Sequence, residues 1–197
     1  PATIATVQEA LADAELLIAD GHHRYETARV YAEEIGGEGE HRYVLAHLVA
    51  FQDPGLAVFP THRLLSNVSE REVQERLGAA LKELFDITPL DDVGELRPPD
   101  GTGPLTMGYL DAHHRRPYRL VLKDQGVADR ALAHMPEPYR RLDTAVLEAL
   151  VLQGTLGMTE DDISHLNGLG YSRTDEEAVE LITPGDFHCG FFLRASP

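Results

Sequence analysis

Residues 16 to 35 constrain this chain more than any other stretch. Four apolar residues, Leu16, Leu17, Ile18 and Ala19, read as a short buried strand. The run stops at Asp20-Gly21, and a helical pattern follows with Tyr25, Ala28, Ala32 and Ile35 on one face. At the turn between them sit His22, His23 and Arg24. A helix start presents unpaired backbone N–H groups and the positive end of the helix dipole, and here a guanidinium stands beside them. Those are the parts of an anion or phosphate site. Gly21 permits a positive φ and close approach of a ligand. Arg24 offers a two-pronged grip on phosphate. Asp20 can cap the helix, orient a histidine or hold a metal.

The rest of the chain mixes strand and helix signals. Residues 3 to 14 read as a helix, and Gly36, Gly37 and Gly39 end the helix that begins at the turn. Residues 42 to 51 are mostly apolar and are read as a buried strand, although periodicity alone does not separate strand from helix there. Asp53-Pro54-Gly55 marks a turn, and Leu56 to Phe59 read as a second strand paired antiparallel with the first. Ser69 and Glu72 have the spacing of a capping box for a helix to about Phe85, with Val73, Leu77, Leu81 and Leu84 on its apolar face. Residues 86 to 104, rich in Pro and Gly, read mostly as loop. Thr106 to Leu110 and Tyr118 to Leu122 read as strands joined by a polar hairpin loop. A helix is expected over Leu142 to Leu152, and a strand over Asp161 to Leu166. Thr174 and Glu177 open a helix through Leu181, and Cys189 to Leu193 form a last strand. The expected class is α+β: a mixed, largely antiparallel sheet with helices packed on it. Residues 1–197 are expected to form one such domain, with a subdivision at 1–135 and 136–197.

Composition removes several functions. The chain has 197 residues, 43% hydrophobic and 25% charged, as in ordinary globular proteins. Its net charge of −16 opposes a surface that tracks nucleic-acid phosphates, so nucleic acid is not an expected partner. A small anionic ligand remains compatible, because one pocket can be positive on an acidic protein. The single cysteine, Cys189, excludes an intramolecular disulfide and a Cys-based zinc knuckle. Lying in an apolar run, it reads as a buried thiol. No run approaches the roughly 18 apolar residues of a membrane span, and no signal peptide is recognisable, so no membrane partner and a cytoplasmic location are expected. The chain begins at Pro1 and reads as a portion of a longer protein.

Further His-Arg clusters bear on the site. Pro60-Thr61-His62-Arg63 closes an expected strand, and two strand ends carrying His and Arg can converge on one pocket. His113-His114-Arg115-Arg116 falls in the hairpin loop, where a solvated tip is expected. His165 and His188 stand alone and read as structural. His22 and His23 are adjacent and do not share a helix face as a zinc-binding i, i+4 pair does, so a metal would need His62 or Asp20 as well. No Gly-x-x-x-x-Gly-Lys-Ser/Thr, His-Glu-x-x-His or Gly-x-Ser-x-Gly motif is present.

The run Ile18-Ala19-Asp20-Gly21-His22-His23-Arg24-Tyr25-Glu26-Thr27-Ala28 resembles the hallmark of a bacterial and archaeal domain family of unknown function, numbered 1015. Pro60-Thr61-His62-Arg63-Leu64-Leu65 resembles its second signature. Leu142-Asp143 through Leu156-Gly157, and Phe191-Phe192-Leu193, resemble its C-terminal part. The resemblance spans nearly the whole chain and implies the C-terminal portion of a longer protein. The turn into its helix is also similar, over roughly fifteen residues, to the phosphate turn of the ParB/sulfiredoxin-like superfamily. That group includes a CTP-hydrolysing partition protein, sulfiredoxin and a free-serine kinase. The similarity implies a strand-turn-helix phosphate site in which Gly21, His22, His23 and Arg24 hold phosphates. Sulfiredoxin has a catalytic Cys in this turn where His22 stands here, so its chemistry is not expected.

Three functions follow as expectations. The first is nucleotide or phosphometabolite binding, as a kinase or nucleotide hydrolase, with a nucleotide and Mg2+ as cofactor. In it Gly21, His22, His23, Arg24 and Arg63 bind phosphate, while Asp20, Glu26 and His62 are the catalytic candidates, with no dedicated protein metal site. The second is a metal-dependent hydrolase using His22, His23 and His62 with an Asp. The third is a non-catalytic interaction module. The sequence leaves substrate and oligomeric state open.

Overall fold

The structure, a computed structural model, describes residues 2–101, 103–183 and 185–195. Contacts divide the chain into two units, Pro1–Leu56 and Ala57–Pro197. The break falls at Leu56, whereas residues on both sides of 135 share one core, with Leu132 and Met135 packed among Val146 and Leu147.

The first unit holds α1 (Ala2–Leu11) and α2 (His22–Ile35), then a 3-10 turn at Glu40–Arg42. Both helices lie where their spacing predicts. Gly36, at φ 65°, ends α2 and donates its N–H to Ala32 O. None of the unit's residues with described burial is buried. The expected strands at 16 to 19, 42 to 51 and 56 to 59 are not formed. A strand needs a neighbour to bond its backbone N–H and C=O groups, and no ladder reaches these runs among the described residues. Their side chains are exposed instead, Leu17 at 77% and Leu45 completely.

The second unit carries the sheet and both cores. It opens with β1 (His62–Leu65), so His62 and Arg63, expected to close a strand at 56 to 59, lie within a strand themselves. α3 (Arg71–Leu84) follows, burying Leu77 and Leu81. Its first residue is Arg71 and its N-cap is Glu70, so Ser69 lies one position too early and the expected capping box is absent. Gly78 sits mid-helix, at a cost of roughly 1 kcal/mol relative to Ala. β2 (Phe85–Pro89) replaces the loop expected there; Pro89 is tolerated because β2 is an edge strand. The hairpin of β3 (Thr106–Asp111) and β4 (Tyr118–Leu122) is as expected. α4 (Gln125–Ala131), which sequence patterning did not reveal, is capped by Asp124, whose carboxylate accepts from the Gly126 N–H.

α5 (Asp143–Leu147) continues into a wider π-helical turn at Glu148–Gln153, together filling the helix expected over 142 to 152. The strand expected over 161 to 166 is instead α6 (Glu160–Ser164), opened by a reciprocal capping box between Thr159 and Asp162. β5 (Leu169–Ser172) had no separate sequence signal. α7 (Asp175–Leu181) is capped by Thr174, which accepts from the Glu177 N–H, while the Glu177 carboxylate accepts from the Ser172 hydroxyl. β6 (Cys189–Phe192) closes the chain as expected.

The six strands form one sheet in the order β2-β4-β3-β6-β1-β5, antiparallel at every pairing, so the class is α+β. Alternation along the central strands divides the core. Leu65 and Phe191 face α3, α4, α5 and the π turn; Leu64 and Phe192 face α7 and Leu96. Both faces are therefore covered, which is why β6 is buried at all four positions.

Candidate functional site

The Asp20 to Arg24 turn lies in the first unit. Gly21 is the N-cap of α2 with φ 87° and ψ 24°, the left-handed region that favours glycine. Its C=O accepts the first helical bond from the Tyr25 N–H at 2.9 Å. No side chain caps the helix, and its first turn has no acidic residue. Asp20 does not cap; its carboxylate takes the Arg24 guanidinium at 2.6 Å. That guanidinium folds over the turn, with Arg24 Nη2 only 3.1 Å from where a Cβ on Gly21 would lie. His22 and His23 are exposed in the first turn, and Glu26 is exposed one position past Tyr25. The uncapped helix start and the Arg24 guanidinium thus lie together at Gly21, with the guanidinium paired to the Asp20 carboxylate.

A groove of about 420 Å3 runs along α2 in the same unit, lined by Tyr25, Arg29, His41, Arg42 and Tyr43 among others. Nε2 of His41 is buried without a hydrogen-bond partner among the described residues. The sequence reading passed over His41; the glycines before it, which turn the chain back along α2, were the available signal.

His62 and Arg63 belong to the second unit, and their local surroundings are complete. His62 is 0% exposed. Its Nδ1 accepts from the Leu193 N–H at 3.1 Å, its Nε2 donates to Asp175 at 2.7 Å, and its ring lies against Phe192. Burial lowers its pKa, and the Asp175 carboxylate opposes that shift. Arg63 lies over the Tyr171 ring at 4.4 Å and donates to Thr61 O. Burial lowers the pKa of its guanidinium too. Among the described residues no group of three or more His, Cys, Asp or Glu side chains is placed to hold a metal ion.

The 113 to 116 cluster is an exposed hairpin loop, as expected, but it is pinned. Asp111 Oδ1 accepts from the His113 and His114 N–H groups, and Arg115 donates to Ile182 O. A buried pair escaped the sequence reading altogether: Asp143 and Arg194, joined by two bonds of 2.6 and 2.7 Å. Their separation of 51 residues leaves no local pattern to read.

The profile of a family described as Protein of unknown function (DUF1015) matches residues 1–145, which include the turn, α2 and the Thr61-His62-Arg63 segment. No curated protein and no solved structure matches the chain. No helix among the described residues is long and apolar enough to cross a membrane.

Proposed function

For this chain, which belongs to the DUF1015 family of proteins of unknown function, we propose that the turn Asp20 to Arg24 binds the phosphates of a nucleotide or phosphorylated metabolite. The observation that carries the reading is the start of α2. A fourteen-residue helix begins at a left-handed glycine, with no side-chain cap and a guanidinium folded over its first turn. The Asp20–Arg24 pair is largely exposed, and such pairs contribute about 0–1 kcal/mol, so a phosphate can take the carboxylate's place on Arg24. The turn would then work as in the ParB/sulfiredoxin-like superfamily, through backbone amides and an arginine.

The groove beside α2 suits the body of such a ligand. Tyr25 and Tyr43 offer it aromatic faces. Phosphoryl transfer or hydrolysis needs positioning and charge neutralisation above all. Mg2+ would arrive with the phosphates, as is usual for this ion, with Asp20, freed from Arg24, or Glu26 as its protein ligand or as the base. In this reading His62 and Arg63 hold the second unit together.

The test is a thermal-shift and calorimetric screen of ATP, CTP, pyrophosphate and phosphorylated metabolites, with and without Mg2+, against the wild type and Arg24→Ala. A midpoint shift that Arg24→Ala removes is the expected result. If no compound shifts the wild type, or the variant responds equally, the reading is lost.

A further inference from the structure

Residues 43 to 51, Tyr-Val-Leu-Ala-His-Leu-Val-Ala-Phe, lie in the first unit and have the composition of a strand buried on both faces. In the structure every one of them is exposed. Leu45 is fully exposed, Tyr43 and Phe51 are 76% and 73% exposed, and Val44, Leu48 and Val49 about half. The two ends of the run are tied down: the Tyr43 N–H donates to Glu40 O at 3.1 Å, and the Asp53 N–H to Ala50 O at 3.0 Å. Between them, among the described residues, no backbone hydrogen bond engages the N–H or C=O groups of 44 to 49. Apolar side chains beside an unpaired backbone are what one strand offers another.

The order of the side chains names the partner. Antiparallel pairing with a second copy of the run, about a two-fold axis at His47, places Tyr43 opposite Phe51 and Leu45 opposite Val49 on one face. On the other face Val44 meets Ala50 and Leu48 meets Ala46, a larger residue against a smaller one each time. Arg42 falls opposite Gln52 at both ends, so no like charges oppose each other.

Charge and area point the same way. Two chains of net charge −16 repel over most of their surface. Residues 43 to 52 contain no Asp, Glu, Lys or Arg. The exposed apolar run at 16 to 19 has only four residues and is bracketed by Glu15 and Asp20. Tyr43 and Phe51 from two copies bring roughly 450–750 Å2, at about 150–250 Å2 per aromatic side chain. With Val44, Leu45, Leu48 and Val49 the total reaches the roughly 1,000 Å2 that a specific interface has to clear.

We propose that two copies of this chain associate by pairing residues 43–51 antiparallel across a two-fold axis at His47, so that the run becomes a strand in the dimer. Such a contact uses the same patch on both copies and closes on itself. It does not depend on the phosphate turn.

The test is sedimentation velocity of the full chain over a range of concentrations, with cysteine cross-linking to read the register. The wild type is expected to sediment as a dimer at micromolar concentration. His47→Asp and His47→Lys each set like charges opposite each other and should weaken association about tenfold or more. An equimolar mixture of the two variants should recover it as a heterodimer. His47→Cys should form an interchain disulfide under mild oxidation, because opposed Cα atoms lie about 4.5–5.5 Å apart. Leu45→Cys alone should not, whereas Leu45→Cys mixed with Val49→Cys should. Cys189 is buried and stays out of these reactions. The cysteine series introduces no charge, so it decides the matter if a charged variant does not fold. The proposal is overturned if the wild type is monomeric throughout or grows into open-ended aggregates. It is equally overturned if charge at position 47 leaves the dimer unchanged, or if Leu45→Cys alone cross-links as readily as His47→Cys.

Discussion

His62 and Asp175 meet at 2.7 Å, although 113 residues separate them in the chain. The bond ties β1 to the first turn of α7, while the other ring nitrogen of His62 receives the Leu193 N–H just after β6. One buried ring thus joins three segments. Replacing it by alanine leaves a buried N–H without its acceptor and opens a cavity, so His62→Ala is expected to cost about 2–4 kcal/mol, measured by urea unfolding.

The same histidine makes stability depend on pH. Its folded pKa lies below the ordinary 6.5, chiefly through burial. Between that lowered value and 6.5 the unfolded chain binds a proton that the folded chain does not. Stability contributed by the neutral ring is therefore complete above 6.5 and declines as pH falls towards the folded pKa. Urea midpoints of the wild type should drop between pH 7.5 and 5.5 more than those of His62→Gln. Equal slopes would refute this assignment.

Asp143 and Arg194 are 6% and 10% exposed in their side chains, and Arg194 also donates to Gly101 O. Removing one member strands the other charge in the interior. Asp143→Ala is expected to destabilise by about 3–5 kcal/mol. The double replacement Asp143→Leu with Arg194→Met should cost less than the two single ones summed, because no lone charge remains. Strict additivity in a double-mutant cycle would count against the pair.

Two glycines should respond in opposite directions to alanine. A Cβ on Gly108 would lie 2.0 Å from the carbonyl oxygen of Leu96, a backbone atom that cannot rotate away. Gly108→Ala should therefore lower stability by about 3 kcal/mol or more. Gly78→Ala enters open space within α3 and should raise stability by about 0.5–1 kcal/mol. Thermal midpoints of both variants decide the matter.

Asp20→Asn tests the turn from its other side. It removes the carboxylate that occupies Arg24 and should strengthen pyrophosphate binding, while stability changes by no more than about 0.5 kcal/mol because the pair is exposed. Calorimetry and a thermal midpoint measure the two effects.

Burial pushes the Cys189 thiol up to about 12. The thiolate is the reactive form, so native protein at pH 8 should not react with a disulfide reagent, while protein in denaturant should release one equivalent.

The local parts of this protein were legible in its sequence. The apolar spacing of α3, the β3–β4 hairpin and the Thr174 cap of α7 are short-range patterns, and each element lies where its pattern places it. The Gly21 turn and α2 were equally readable, because a glycine before a helical periodicity is a local signal. The match of the family profile over residues 1–145 agrees with the hallmark residues in that turn. Over 161 to 166, read as a strand, a capping box between Thr159 and Asp162 opens a helix instead.

Tertiary structure alone decided the rest. Apolar residues at 16 to 19 and 43 to 51 have strand-like composition, yet a strand exists only when a neighbour completes its ladder, and none does so here among the described residues. Pairing across the chain likewise placed β5 beside β1 and made a strand of 85 to 89 despite its proline. It gave His62 to Asp175 and Asp143 to Arg194, across separations that no sequence spacing encodes. It also left Gly78 beside an open cavity, because what a helix face meets depends on the sheet beneath it.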